Sequence, residues 1–329
     1  MKFPTSSLIR AALAGISLVT PAFAVVSIDY VTVGNAGNAA DFTFDPAGYG
    51  AVAYTYQIGK YEVTNAQYAD FLNAADPTGA NANGIYNTDM GSDIRGGITY
   101  TSGAASGTKY TIRTSMGDKP VNYVSWYDSA RFTNWMNNGQ GAGSTETGAY
   151  DLSLATPTKS VSATVWLPSE NEWYKAAYYD PTPGASTNNY WLYPTQSDTV
   201  PTVGTANAMG DISNPGANVA NYNFGADWNA QNGNVTTVGS AAANNYFGTA
   251  DQGGNVWEWN DAVISGSSRG LRGGSWDFSE NYLRASNREF TGPSLENNFV
   301  GFRVASVPEP SGLVLAMVAS GMVLLRRKR

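Results

Sequence analysis

The sequence predicts an α+β domain that is rich in loops, with short helices and short antiparallel strands, and three observations lead there. Charged residues make up only 14% of the 329-residue chain, while 36 residues are glycine and asparagine, serine, threonine and tyrosine abound. That is the make-up of a loop-rich domain and not of a helix bundle. Three separate segments nevertheless carry helix-start chemistry, and several others alternate apolar and polar side chains in the manner of strands.

The first helix is announced by Thr64-Asn65-Ala66-Gln67, a capping box, with Phe71, Leu72 and Ala75 forming an apolar stripe behind it. Ser125-Trp126-Tyr127-Asp128 opens a second, with Phe132, Trp135 and Met136 on one face. Ser169-Glu170-Asn171-Glu172 caps a third, running through Trp173, Ala176 and Ala177 to about Tyr179. In each, the hydroxyl accepts from the backbone N–H three residues on, and the later side chain reaches back. Strand-like alternation covers Ala53 to Glu62, and recurs at Ile98 to Tyr100 and Lys109 to Arg113, which pair as a hairpin across a Ser/Gly-rich turn. From Thr182 to Gly254 the chain is nearly all Asn, Gly, Ala, Thr and Pro. Tyr190, Trp191, Tyr193, Tyr222, Phe224 and Trp228 within it predict a long ordered coil pinned by aromatic anchors.

The two ends read differently from the middle. Residues 1–24 have the pattern of a secretory signal: Lys2 and Arg10, a short apolar core from Ala11 to Val19, and Ala22-Phe23-Ala24 for signal peptidase. At the other end Pro308-Glu309-Pro310 precedes an apolar run from Gly312 to Leu325 and a basic Arg326-Arg327-Lys328-Arg329. That order resembles the PEP-CTERM sorting signal over residues 307–329. The resemblance implies export by a Gram-negative bacterium, transient retention in the inner membrane by the C-terminal helix, and processing by an exosortase-type transpeptidase. Between these ends, residues 25–306 hold 13 basic against 25 acidic side chains. So acidic a domain repels nucleic acid and attracts divalent cations. With no cysteine, there is neither a disulfide framework nor a thiol nucleophile. Roughly 280 residues suffice for a core without such staples.

Several phrases then form an ordered series. They are Gly59-Lys60-Tyr61-Glu62-Val63-Thr64-Asn65, Pro120-Val121 leading to Val124-Ser125-Trp126, and Trp166-Leu167-Pro168-Ser169-Glu170. Gly254-Asn255-Val256-Trp257-Glu258-Trp259, Arg272-Gly273-Gly274-Ser275-Trp276 and Gly301-Phe302-Arg303 follow. This series resembles the formylglycine-generating enzyme, or sulfatase-modifying factor, family over Tyr54 to Ala305. The resemblance implies a single C-type-lectin-like domain over 54–306, with 25–53 as a lead-in strand region.

Each phrase also has a purely structural reading. Trp257 and Trp259 point the same way on an extended chain, so at least one belongs to the core. Gly273-Gly274 permits positive φ and close backbone approach. Ser275 follows as a possible ligand-facing hydroxyl, with Trp257 and Tyr282 beside it in a possible ligand pocket, but no histidine exists to activate it. Asp251-Gln252-Gly253-Gly254-Asn255-Val256-Trp257-Glu258 places a carboxylate at each end, with carbonyls between, the mixture hard Ca²⁺ takes. The resemblance implies a structural calcium on Asp251, Gly254, Val256 and Glu258, and a second beginning at Asn221 and Tyr222, with Asp227 and Asn232 as further candidates.

The family's redox chemistry does not carry over. The resemblance implies a copper-binding cysteine pair after the Gly-Gly-Ser phrase, yet Phe278 and Leu283 stand about where those sulfurs belong. Related sulfoxide synthases hold iron with histidines, and this chain has none. Copper, iron and zinc are therefore not expected. The reading that follows is a non-catalytic, calcium-stabilised binding or scaffold module of the cell surface or extracellular matrix, with an exopolysaccharide or surface protein as ligand. The alternative is an enzyme with an untypical metal site, or one using carboxylates on a glycan, with Glu170, Glu172, Asp180, Asp277 and Glu280 available.

Overall fold

The computed structural model describes residues 25–308. The export signal and the sorting segment from residue 309 onward lie outside the described residues. Among the described residues, no helix is long and apolar enough to cross a membrane.

All three capping boxes form. Helix α1 (Asn65–Ala75) starts where Thr64 Oγ1 accepts from Gln67 N and Gln67 Oε1 accepts from Thr64 N. A single turn, α2 (Asp89–Ser92), follows. Helix α3 (Trp126–Asn137) is closed by the reciprocal bonds of Ser125 and Asp128, and α4 (Glu170–Tyr178) by those of Ser169 and Glu172. These boxes satisfy backbone donors that helix starts otherwise leave unpaired. The apolar stripes of α1 and α3 meet: Tyr68, Phe71, Phe132 and Trp135 pack with Phe302, at centroid separations of 5.2 Å for Tyr68–Phe71 and 5.5 Å for Phe132–Phe302. Each such ring contributes about 2–3 kcal/mol by burial, and the edge-on pairs add roughly 0.5–1.5 kcal/mol each.

The strands are short. In chain order they are β1 (Tyr30–Val33), β2 (Tyr56–Gly59), β3 (Ile98–Tyr100), β4 (Tyr110–Ile112), β5 (Val165–Trp166) and β6 (Thr202–Val203). Then come β7 (Val219–Ala220), β8 (Trp257–Ile264), β9 (Ser268–Arg272), β10 (Glu289–Thr291), β11 (Val300–Gly301) and β12 (Ala305–Ser306). One four-stranded sheet has the order β1-β2-β12-β5, antiparallel throughout; a second four-stranded sheet runs β10-β9-β8-β11, and β3-β4 and β6-β7 form two-stranded sheets. The expected hairpin forms as β3–β4, with Ile98 opposite Ile112 and Tyr100 opposite Tyr110. The antiparallel expectation has two exceptions, since β11 joins β8 and β6 joins β7 in parallel. The lead-in strand β1 belongs to the same sheet as β2, so the boundary expected at residues 53 and 54 cuts through a sheet.

The long coil contributes only β6, β7 and a 3₁₀ turn over Thr187–Asn189 before β8. Tyr190, Tyr193, Tyr222 and Trp228 are buried anchors, as aromatic spacing suggested. Phe224 and Trp191 are not: Phe224 is 42% exposed and Trp191 is half-buried.

The start of α3 also docks a late loop. Pro293 O accepts from Trp126 N at 3.0 Å and Asn297 O from Tyr123 N at 2.9 Å. Glu296 thereby comes within hydrogen-bonding reach of buried Asp128. Burial, then the Asp128 charge, pushes Glu296 up to about 7, and burial raises Asp128 as well. A carboxyl whose folded pKa exceeds its unfolded value binds more protons folded than unfolded. Its stabilisation is present at low pH and declines as pH rises through about 4.5 to 7. Glu296→Gln keeps an acceptor for Asn87 and gives Asp128 a permanent donor. Thermal melts from about pH 5 to 8 should show this variant more stable than the parent at the alkaline end, with a flatter pH slope. An unchanged slope would refute the raised carboxyl at Glu296.

Candidate functional site

Three loops interlock to build the site. Asp251, Gly254 and Asn255 all have positive φ, at 59°, 90° and 60°. Gly254 N donates to Gly273 O at 2.9 Å, Asn255 N to Asn221 O at 2.8 Å, and Trp276 N to Asn255 O at 3.0 Å. A Cβ on Gly254 would lie 2.2 Å from Asn221 O, so only glycine permits that approach. Gly273 answers from the other loop, where a Cβ would meet Gln252 O at 2.9 Å. The sequence-predicted residues Asn221, Gly254, Val256 and Ser275 are brought together by this interlock.

Glu258 leaves that loop on β8 and meets Arg303. Arg303 Nε donates to Glu258 Oε2 at 2.6 Å and Nη2 to Oε1 at 2.7 Å, while Trp173 Nε1 donates to Oε2 at 2.7 Å. Glu258 is thus first of all the partner of an arginine, which the sequence did not disclose. Arg303 completes its donor set on the carbonyls of Gly59, Lys60 and Ala250. Two further acids crowd this cation. Buried Glu62 has its Oε2 3.9 Å from Arg303 Nη2, with no hydrogen-bond partner on that oxygen. Burial and the neighbouring Asp251 charge hold Glu62 well above the usual carboxylate range, and burial raises Asp251 to about 6, against a backbone bond from Gly239.

A polar chain runs on from Glu62. Asn255 Nδ2 donates to Glu62 Oε1 at 3.1 Å, and Asn255 Oδ1 accepts from Asn221 Nδ2 at 3.2 Å. Asn221 Oδ1 is buried without a partner. Buried oxygens left unpaired cost free energy, and two of them flank Asn255. Oxygen-rich surroundings of this kind fit a hard cation. Tyr222 contributes its carbonyl to Gly225 N at 3.2 Å, and exposed Asp227 caps Gly233 N, so neither is directed by a hydrogen bond toward Asp251. Among the described residues, no group of three or more His, Cys, Asp and Glu side chains is disposed to hold a metal.

Beside the interlock lies an aromatic cluster. Trp257 is buried, and Phe278 meets it edge-on at 5.6 Å, Tyr282 at 4.8 Å and Phe299 at 5.6 Å. Trp259 is buried as well, so both tryptophans of the phrase serve the core. Ser275 is fully buried and donates to Asp277 Oδ1 at 2.6 Å; of the expected pocket trio only Tyr282 keeps partial exposure. Leu283 is buried against Tyr193, Ala220 and Tyr222. Packed rings and a buried leucine thus fill the region where the paired sulfurs were sought.

Three of the other carboxylates considered for acid–base work, Glu170, Glu172 and Asp180, have partners. Glu170 is shared by Arg272 and Arg288, each at 2.7 Å. Glu172 accepts from Ser169 N, Tyr54 Oη and Trp166 Nε1, and Asp180 accepts from Trp191 Nε1 at 3.1 Å.

Removing Arg303 strands the acids around it. Arg303→Met is expected to lower unfolding free energy by about 3–5 kcal/mol, read from urea or guanidinium melts. Adding Glu258→Leu should restore part of that loss, because the penalty is the unpaired charge. A double variant less stable than the single one would contradict this account.

The domain described as sulfatase-modifying factor enzyme 1-like matches residues 27–307 of the chain. Hercynine oxygenase of Mycolicibacterium smegmatis (strain ATCC 700084 / mc(2)155) is 24% identical over 277 residues, which are 76% of this chain and 53% of that protein. Hercynine oxygenase of Mycobacterium tuberculosis (strain ATCC 25618 / H37Rv) is 25% identical over 276 residues, 76% of this chain and 52% of that protein. The chain therefore spans about half the length of the curated relatives it matches. The crystal structure of CarF superposes with a TM-score of 0.54 at 20% identity, covering 87% of this chain and 100% of that one, a likeness of fold. With the loop-rich α+β architecture and its phrases in order, the chain belongs to the sulfatase-modifying factor enzyme 1-like domain family.

Proposed function

We propose that the protein is an exported, non-catalytic member of this family that acts as a calcium-stabilised binding or scaffold module at the cell surface or in extracellular matrix. The observation that carries this reading is the packed cluster of Phe278 with Trp257, Tyr282 and Phe299, together with buried Leu283. The resemblance puts the family's copper cysteines at Phe278 and Leu283, and neither side chain ligates a metal. Export rests on the two terminal signals, with signal peptidase and an exosortase-type enzyme as processing partners and an exopolysaccharide or surface protein as ligand class. Calcium would be held by Asp251 and the carbonyls of Gly254 and Val256, with Glu258, expected as a further ligand, already bonded by Arg303 and Trp173, and with a second ion at Asn221 and Tyr222. The unpaired oxygens of Glu62 and Asn221 support an added cation nearby. Bound, it would supply charge neutralisation and loop rigidity.

A second reading, an oxygenase with an untypical metal site, is favoured by the names of the curated relatives, both hercynine oxygenases. The two readings separate in an oxygen electrode. The full chain loaded with copper or ferrous iron, and offered thiol peptides or hercynine, should consume no oxygen above buffer; sustained turnover would overturn the non-catalytic reading. Calcium has its own readout. At about a hundredfold excess over its Kd it should raise the melting temperature by roughly 5 °C or more, reversibly on chelation and not in Asp251→Ala. No shift at millimolar calcium would remove the ion from the proposal.

A further inference from the structure

A second surface, apart from the interlocked loops, has the make-up of a ligand site. A cleft of about 310 Å³ lies between the turn at residues 41–49 and the start of the long coil, lined by Asp41, Thr43, Phe44, Tyr190, Trp191, Leu192 and Asp198. That volume is at the lower end of small-molecule sites. The rings of its turn are exposed yet held: Phe44 is 45% exposed and its neighbour Phe42 is 62% exposed. Both sit on a turn clasped by Asp41 N to Tyr49 O at 2.8 Å and Tyr49 N to Asp41 O at 3.0 Å. Buried Asp41 fastens that turn to α4 through Tyr174 Oη at 2.7 Å.

The opposite wall is fixed as firmly. Trp191 N donates to Tyr178 O at 2.9 Å, and its indole Nε1 donates to buried Asp180 at 3.1 Å, although the ring is only half-buried. An aromatic side chain oriented by a buried carboxylate while presenting part of its face outward is preorganised for contact. Asp198 is exposed, with Oδ1 accepting from Leu192 N at 2.9 Å, and Thr43 adds a hydroxyl at the rim.

The chemistry selects the occupant. None of the lining residues is basic, and residues 25–306 carry nearly twice as many acidic as basic side chains. Anionic ligands are repelled on both counts. A cationic peptide would need dense negative charge here, but Asp41 is buried under Tyr174 and only Asp198 faces outward. A neutral sugar chain suits what remains: its C–H face packs on Trp191 and Phe44, and its hydroxyls donate to Asp198 and Thr43. We propose that this cleft binds a neutral, hydroxyl-rich oligosaccharide. The proposal rests on the binding-module reading and gives it a location.

The test is isothermal titration of the full chain with neutral hexose tetrasaccharides (β-1,4-glucan, α-1,4-glucan and β-1,4-mannan), a uronic-acid tetrasaccharide and a lysine-rich peptide. Saturable binding of at least one neutral sugar is expected, at least tenfold weaker in Phe44→Ala and in Trp191→Ala and unchanged in Met209→Ala, an exposed apolar side chain outside the cleft. Phe44 is exposed, so its variant keeps the measurement interpretable if Trp191→Ala melts early. Absence of binding by every neutral sugar, or binding of the uronic acid or the peptide alone, overturns the proposal. Binding weakened by Tyr282→Phe and not by Phe44→Ala overturns the location while leaving the binding-module reading intact. Oxygen turnover in the separate assay sinks that reading itself.

Discussion

One arginine holds distant parts of the chain to a common centre. Arg303 makes five hydrogen bonds from a fully buried guanidinium: two to Glu258 on β8, two to the carbonyls ending β2, and one to Ala250 just before the interlocked loops. Five bonds match the five donors a guanidinium offers, and this is what makes burial of a permanent charge tolerable. Glu258 in turn takes Trp173 from α4. Both four-stranded sheets and a helix meet on one ion pair, and the remaining acids, Glu62 and Asp251, are arranged around it with more negative charge than one arginine balances.

That excess explains why the region reads as cation-seeking without assembling a cluster of ligating side chains. The oxygens in question come from backbone, amides and carboxylates that already have other duties. Asn255 shows the pattern, bonding Glu62 with its amide nitrogen and Asn221 with its oxygen while its own backbone bends through positive φ. The aromatic cluster beside it is the opposite kind of environment. Phe278 stands edge-on to both Trp257 and Phe299, and Trp257 is packed as a core residue. An acidic, oxygen-lined loop system thus abuts a half-buried aromatic patch.

Local chemistry was well encoded in the sequence. Thr64, Ser125 and Ser169 each marked a helix start, because a capping box is complete within four residues. The hairpin of Ile98 with Ile112 was legible from alternation for the same reason. Long-range pairings were not. Glu258 looked like a calcium carboxylate since its partner lies 45 residues on, and nothing in a Gly-Phe-Arg phrase states where the guanidinium points. Glu296 stood in a plain loop with no sign of Asp128, and Trp191 looked like another coil anchor until its indole was found fastened at one edge and open at the other. Asn221 and Gly254 were assigned to two separate calcium sites, and only the 2.2 Å approach shows that they meet and why glycine is obligatory there.

The placement of β12 has a mechanical meaning. The last strand of the described chain lies inside its sheet, hydrogen-bonded to β2 on one side and β5 on the other, and residues 307 and 308 lead directly out of it. A load applied to the C-terminal side is therefore received by two ladders at once, two residues before Arg303 and its five bonds take up the same strain.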